Sequence, residues 1–158
     1  MDMRVREWMR HPVISVRPRD SAAHARAIME QHRVNQLPVF EGPRLVGIVS
    51  DRDLRDAFPS LAESMRAPSR RRPKSTDPTA IPVEDVMTRD VLTVEPDATL
   101  AEAAGLLRQK RIGAVPVVAG GHAVGILARS DLLDALVKLL ADDASDRSAQ
   151  GSTSDGFG

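Results

Sequence analysis

The chain is written twice. Residues 5–58 read VREWMRHPVISVRPRDSAAHARAIMEQHRVNQLPVFEGPRLVGIVSDRDLRDAF, and residues 83–136 read VEDVMTRDVLTVEPDATLAEAAGLLRQKRIGAVPVVAGGHAVGILARSDLLDAL. They align without a gap at a constant offset of 78. Identical pairs include Met9/Met87, Val13/Val91, Val16/Val94, Pro18/Pro96, Arg33/Arg111, Pro38/Pro116, Gly42/Gly120, Gly47/Gly125 and Asp53/Asp131. The matches fall at prolines and glycines as well as at apolar positions. The two copies therefore share a backbone course, and not merely a composition.

Each copy carries the same order of elements. A short extended segment (residues 13–16 and 91–94) is followed by a Pro-containing turn and a helix. In the second copy Thr99 and Glu102 have the spacing of a capping box, and Leu100, Ala103 and Leu107 mark one buried helix face. Two apolar runs follow, residues 37–40 and 45–49, matched by 115–118 and 123–127. The turns between them, Glu-Gly-Pro-Arg and Ala-Gly-Gly-His, have the chemistry of tight hairpins. A second helix begins near Asp51 and Ser130.

The repeating unit is thus β-α-β-β-α, an α+β arrangement. About 50 residues make a thin core that would be marginal alone. Two copies packed through their sheets about a pseudo-two-fold axis solve this. The expected organisation is a first repeat over 5–58, a linker over 59–81, a second repeat over 82–141 and a disordered tail over 142–158. The linker is rich in Pro, Ser and Arg, with one helical turn expected at 61–65. Trp8 and Met9 are expected in the core of the first repeat.

Several function classes lose support at once. The formal net charge is zero, so no global field draws the chain to nucleic acid or anionic lipid. With no Cys there is no disulfide frame and no thiol chemistry. The N-terminus lacks the apolar stretch of a signal peptide. The most apolar region, residues 113–128, is broken by Pro116, Gly120, Gly121 and His122, so no membrane span is expected. These features imply a cytoplasmic protein. His11, His24, His32 and His122 show no metal-binding spacing, and neither a Walker A loop nor a G-x-S-x-G elbow is present. Catalysis has no support, and no cofactor is called for.

The tandem unit, with R-[VI]-x-x-[LV]-P-V followed by a turn and G-I-[VL], closely resembles the cystathionine-β-synthase-type (CBS) domain family. The segments that carry it are residues 33–39 with 47–49, and 111–117 with 125–127. The resemblance covers both repeats. It is nearest to the stand-alone CBS pairs of bacteria, including the acetoin-utilisation type. It implies one pseudo-symmetric module, a homodimer of such modules, and an adenine nucleotide or S-adenosylmethionine in clefts between repeats as a regulatory ligand.

The signature that resemblance attaches to ligand binding, G-h-h-[ST]-x-x-D with h apolar, is intact at Gly47-Ile48-Val49-Ser50-Asp51-Arg52-Asp53. The spacing has its own rationale. A strand ending at Val49 delivers a helix N-terminus, whose free N–H groups favour an anion. Ser50 can donate to a phosphate oxygen, Asp53 can accept from a ribose diol, and Arg52 can add a charge-assisted contact. Ser50 and Asp53 equally fit a helix cap with an acidic first turn, and the two roles are compatible. The second repeat keeps Gly125 and Asp131 but has Ala128 in place of the hydroxyl. Its cleft is expected to be weaker or empty, with Arg111, Arg129, Ser130 and Asp131 as its residues and Ser130 as a substitute cap. Adenine recognition is implied at Val34, Asn35, Gln36 and Ile14, with Met87, Thr88 and Leu92 from the opposite repeat. Asn35 and Gln36 stand where the family often has basic residues, so phosphate falls to Arg52 or Arg111.

The reading that results is a non-catalytic ligand sensor acting on a regulated protein that the sequence does not name. Two rivals differ in class. One is a ligand-free scaffold for assembly. The other is a nucleic-acid-binding protein using Arg70, Arg71, Arg72 and Lys74, a run that lacks interleaved aromatics.

Overall fold

The computed structural model describes residues 2–57, 77 and 79–150. The helical turn expected at 61–65, the basic run at 70–74 and the last eight residues lie outside that set. The elements are α1 (Ala22–His32), β1 (Gln36–Glu41), β2 (Arg44–Ser50) and α2 (Asp51–Ala57), then α3 (Leu100–Lys110), β3 (Ala114–Ala119), β4 (His122–Ala128) and α4 (Arg129–Gln150). Short 3-10 turns at Val5–Glu7 and Val83–Asp85 precede the two copies.

Local chemistry explains the boundaries. The Ser21 side chain accepts from the His24 N–H at the start of α1, and Thr99 and Glu102 form the expected reciprocal box at the start of α3. Both helices end on an arginine in the left-handed region, Arg33 (φ 53°) and Arg111 (φ 55°). The N–H groups that follow bond back into the last turn, Val34 to Met29 O and Ile112 to Leu107 O. Each strand pair is an antiparallel hairpin, with Val39 opposite Gly47 and Val117 opposite Gly125. The hairpin turns need the positive φ of Gly42 (60°), Gly120 (58°) and Gly121 (78°).

The first extended segment of each unit contributes less than a strand. Val16 makes a single parallel bridge to Val39, and Val94 one to Val117. Prolines bound both segments, Pro12 and Pro18 in one case and Pro96 in the other, and they lack the N–H a longer ladder needs.

Two apolar clusters form the core. One contains Val16, Ala25, Met29, Leu37, Val39, Val49 and Leu54, and the other Ala103, Leu107, Val115, Val117, Leu127 and Ala135. The lead-in segments are exchanged between them. Ile81, Val83 and Met87 complete the first cluster, whereas Val5, Met3, Trp8 and Met9 complete the second.

Trp8 and Met9 are thus in the core of the second repeat and not the first. Backbone bonds from Val5 N–H to Ala98 O (2.9 Å) and Arg6 N–H to Pro96 O (2.9 Å) carry the segment across. Ile81, assigned to the linker from sequence, is only 3% exposed, and its carbonyl accepts from Ala22 N–H. It caps the core that the preceding repeat leaves open.

The end of the chain also departs from expectation. Helix α4 runs to Gln150 and so takes in residues 142–150, read from sequence as the start of a disordered tail. Nothing there is buried, but local contacts hold the helical register. Lys138 pairs with Asp142, Arg147 pairs with Asp143, and the hydroxyls of Ser145 and Ser148 donate to the carbonyls of Ala141 and Ala144. No described helix is long and apolar enough to cross a membrane.

Candidate functional site

Where β2 passes into α2, Ser50 and Asp53 bind each other's backbone. The Asp53 N–H donates to Ser50 Oγ (3.0 Å), and the Ser50 N–H donates to Asp53 Oδ2 (2.9 Å). The cap reading of these residues is therefore realised. It leaves the Ser50 hydroxyl hydrogen and the second Asp53 oxygen able to serve a ligand. The Asp51 N–H donates to Asn35 O (2.8 Å), which ties the turn after α1 to this junction.

The junction opens on a cleft of about 640 Å³ that both repeats line. That volume lies within the range of small-molecule sites, roughly 300–1,000 Å³. The first repeat supplies Asn35, Gln36, Ile48, Ser50, Arg52 and Asp53. The second supplies Thr88, Val91, Leu92, Ile112, Arg111 and Arg129. Thr88 is held in place by exchanging both backbone hydrogen bonds with Ile48 (2.8 and 2.9 Å). Gln36 reaches across to Gly113, where the space a Cβ would fill is taken by its amide nitrogen.

The charges in the cleft are mixed. Arg55 pairs with Asp51 (3.3 Å) and Arg52 with Asp56 (3.9 Å). Both pairs are solvent-exposed and therefore weak, so Arg52 can turn to an incoming anion at little cost. Arg129 spends its Nε on Ile112 O (3.1 Å). Arg111 makes no ion pair among the described residues.

The sequence expectations sort as follows. Ser50, Arg52, Asp53, Asn35, Gln36, Thr88 and Leu92 come together on this cleft. Arg111, expected both at the second site and on phosphate, and Arg129, expected at the second site, line this first cleft. Met87 is buried in the first core, and Ile14 and Val34 pack against that core; none of the three lines the cleft. The apolar walls are made by Ile48, Val91, Leu92 and Ile112. Sequence reasoning missed Ile48, Val91 and Ile112 as walls, although the offset of 78 pointed to Ile112. Ile112 is the mate of Val34 and Leu92, which the sequence did name, the mate of Ile14, so a cleft shared across the pseudo-two-fold takes these mates and neither Val34 nor Ile14.

At the second junction Ser130 does not cap the helix. Asp131 does so, accepting from the Ala128 N–H at 2.7 Å, while Ser130 Oγ lies 3.4 Å from a terminal nitrogen of Arg10. Among the described residues, no cluster of His, Asp and Glu is arranged to hold a metal ion.

The sequence profile of the CBS domain matches twice, over residues 5–60 and 83–138. The chain belongs to the CBS domain family. Its two repeats form a CBS pair, an α+β module in agreement with the resemblance read from the motifs. It is 30% identical over 128 residues to the CBS domain-containing protein YhcV of Bacillus subtilis, covering 81% of each chain. It is also 32% identical over 130 residues to an inosine-5'-monophosphate dehydrogenase of Korarchaeum cryptofilum, but there it spans only 23% of the relative's length.

Among solved structures, this CBS pair is similar to a protein of Vibrio cholerae assigned to acetoin utilization (AcuB), with TM-score 0.72 and 27% identity over 92% of this chain and 98% of that one. It is also similar to CBSX2 in complex with AMP (TM-score 0.71, 27% identity, 87% and 98% covered). The CBS pair of protein MJ0100, in complex with 5'-methylthioadenosine and S-adenosyl-L-methionine, gives TM-score 0.71 at 26% identity, with 87% and 98% covered.

Proposed function

We propose that this CBS pair is a non-catalytic regulatory sensor that binds an adenine nucleotide, or S-adenosylmethionine, in the cleft between its repeats. The observation that carries the reading is the composition of that cleft. It brings Ser50 and Asp53 of one repeat and Arg111 and Arg129 of the other onto the lining of a single cleft. Asp53 accepts from the ribose diol, and the adenine lies between Ile48, Val91, Leu92 and Ile112. Arg111, Arg129 and a turned Arg52 meet phosphate. The adenosine ligands in the similar structures of CBSX2 and MJ0100 support this assignment.

A ligand bridging the repeats favours the relative orientation that it fits best, and that differential affinity is what a switch requires. The readout passes to a regulated protein or to a second copy of this chain. Leu133, Leu136, Val137 and Leu140 lie at helical spacing on α4, each between 48% and 67% exposed. Four large apolar side chains on one face are costly to leave in water. A two-fold pairing of α4 with its counterpart covers them, because an isologous contact brings the same stripe from both sides.

The test is thermal unfolding with AMP, ADP, ATP and S-adenosylmethionine, for wild type and Asp53→Ala. A hundredfold excess over Kd adds about 2.7 kcal/mol to native stability, and that shift is expected to vanish in the variant. No shift with any of the four at millimolar concentration overturns the reading in favour of a ligand-free scaffold.

A further inference from the structure

The junction of β4 with α4 stands on the same frame as that of β2 with α2. Arg129 N–H donates to Gly113 O (3.0 Å), as Asp51 N–H does to Asn35 O (2.8 Å). Arg10 exchanges both backbone hydrogen bonds with Ile126 (2.9 and 3.1 Å), as Thr88 does with Ile48. Arg10 is thus the mate of Thr88, which lines the first cleft, and it reaches the second junction from the equivalent place. A long cation replaces a short hydroxyl there. Its Nε donates to Asp131 Oδ1 at 2.8 Å, and a terminal nitrogen lies 3.4 Å from Ser130 Oγ. Asp131 is only 4% exposed, and its other oxygen is taken by the Ala128 N–H.

We infer that Arg10 closes the second cleft to nucleosides, so that the chain carries a single adenine ligand, in the first cleft. The inference rests on the nucleotide reading of that first cleft. Asp131 is the counterpart of Asp53, the acceptor for a ribose diol. Here both carboxylate oxygens already have donors, one of them a guanidinium in a charge-assisted bond. A ribose would have to displace that cation and leave a nearly buried carboxylate with neutral donors alone. The hydroxyl of Ser50 is also missing, since Ala128 stands in its place.

The first cleft supplies the substitutions that reopen the site, because Thr88 and Ser50 already occupy the equivalent positions there. AMP is titrated calorimetrically into the full chain as wild type, Asp53→Ala, and the double variant Arg10→Thr with Ala128→Ser. The expected stoichiometry is one AMP per wild-type chain, none for Asp53→Ala and two for the double variant. Two AMP per wild-type chain, or one in the double variant, overturns the closure and leaves the nucleotide reading intact. If wild type binds no AMP, the reading of the first cleft fails on its own; one AMP in the double variant still upholds the closure, and none overturns it. Should the double variant not fold, the Arg10 Nε resonance of wild type decides. It stays in place at saturating AMP if the cleft is closed, and it moves if ligand displaces the side chain.

Discussion

Met87 lies directly over Gly47, its sulfur 2.5 Å from where a glycine Cβ would stand, and Met9 lies over Gly125 in the same way at 2.6 Å. The lead-in of each copy thus fills a hollow that a glycine opens in the other. The exchange makes the two repeats a single folding unit, since each core lacks part of its lining without the other's leading segment.

Gly47→Ala should therefore destabilise the chain by about 1–3 kcal/mol, the usual cost of overpacking. The Met87 side chain can give way, but Thr88 O, 3.0 Å from the new Cβ, is held by its bonds to Ile48. Gly105→Ala is the control. It lies within α3 with nothing near its missing Cβ, and alanine there should stabilise by about 0.4–1 kcal/mol. Urea denaturation of both variants, read through m and the midpoint, checks the contrast.

The capping box of α3 predicts a pH dependence. The Thr99 backbone N–H, and then its side chain, hold the Glu102 carboxyl below its ordinary value of 4.5, with a smaller contribution from Arg4. A carboxyl lowered on folding stabilises fully above its unfolded value, and that stabilisation is lost as pH falls through the lower folded one. The difference in Tm between wild type and Glu102→Gln should be constant near neutrality and shrink below about pH 4.5. Thr99→Ala should cost about 0.5–2 kcal/mol at neutral pH and weaken the trend without removing it, because the backbone N–H that donates to Glu102 remains.

Arg111 separates phosphate binding from folding. It closes α3 at φ 55°, a conformation that Asn tolerates, so Arg111→Asn should leave the unliganded Tm nearly unchanged. Loss of one charge-assisted contact, about 1.5–3 kcal/mol, should weaken AMP roughly 10- to 100-fold. Adenosine, which has no phosphate, should be weakened far less. Equal losses for the two would remove Arg111 from the phosphate.

The stripe on α4 predicts the assembly. Val137 is 67% exposed, so Val137→Glu leaves the isolated fold intact while placing a charge at the centre of the proposed contact. Sedimentation velocity should show a dimer for wild type and a monomer for the variant. A wild-type monomer at every concentration overturns the pairing of α4 with its counterpart.

Much of this was legible in the residues. The duplication gave the α+β unit, Thr99 and Glu102 the start of α3, and the Gly-bearing turns both hairpins. These are local features, decided by backbone φ, capping and periodicity within a few residues. The Ser50-to-Asp53 motif was legible for the same reason, because its partners lie three residues apart. Harder to see was the helix beyond Ala141, which buries nothing and is held by i,i+4 contacts that a burial argument overlooks.

The cleft depends on which copy faces which. Met9 and Met87 are related by the offset of 78, yet nothing in either copy says that each fills the other's core. The same crossing carries Arg10 to Asp131 and puts Arg111 and Arg129 on the same cleft as Ser50, although a reading within one repeat placed Arg129 at the other site. A repeat specifies its own elements through short-range chemistry. Pairing between copies is chosen by the burial of apolar lead-ins against complementary hollows, a long-range energy that exists only once both cores have formed.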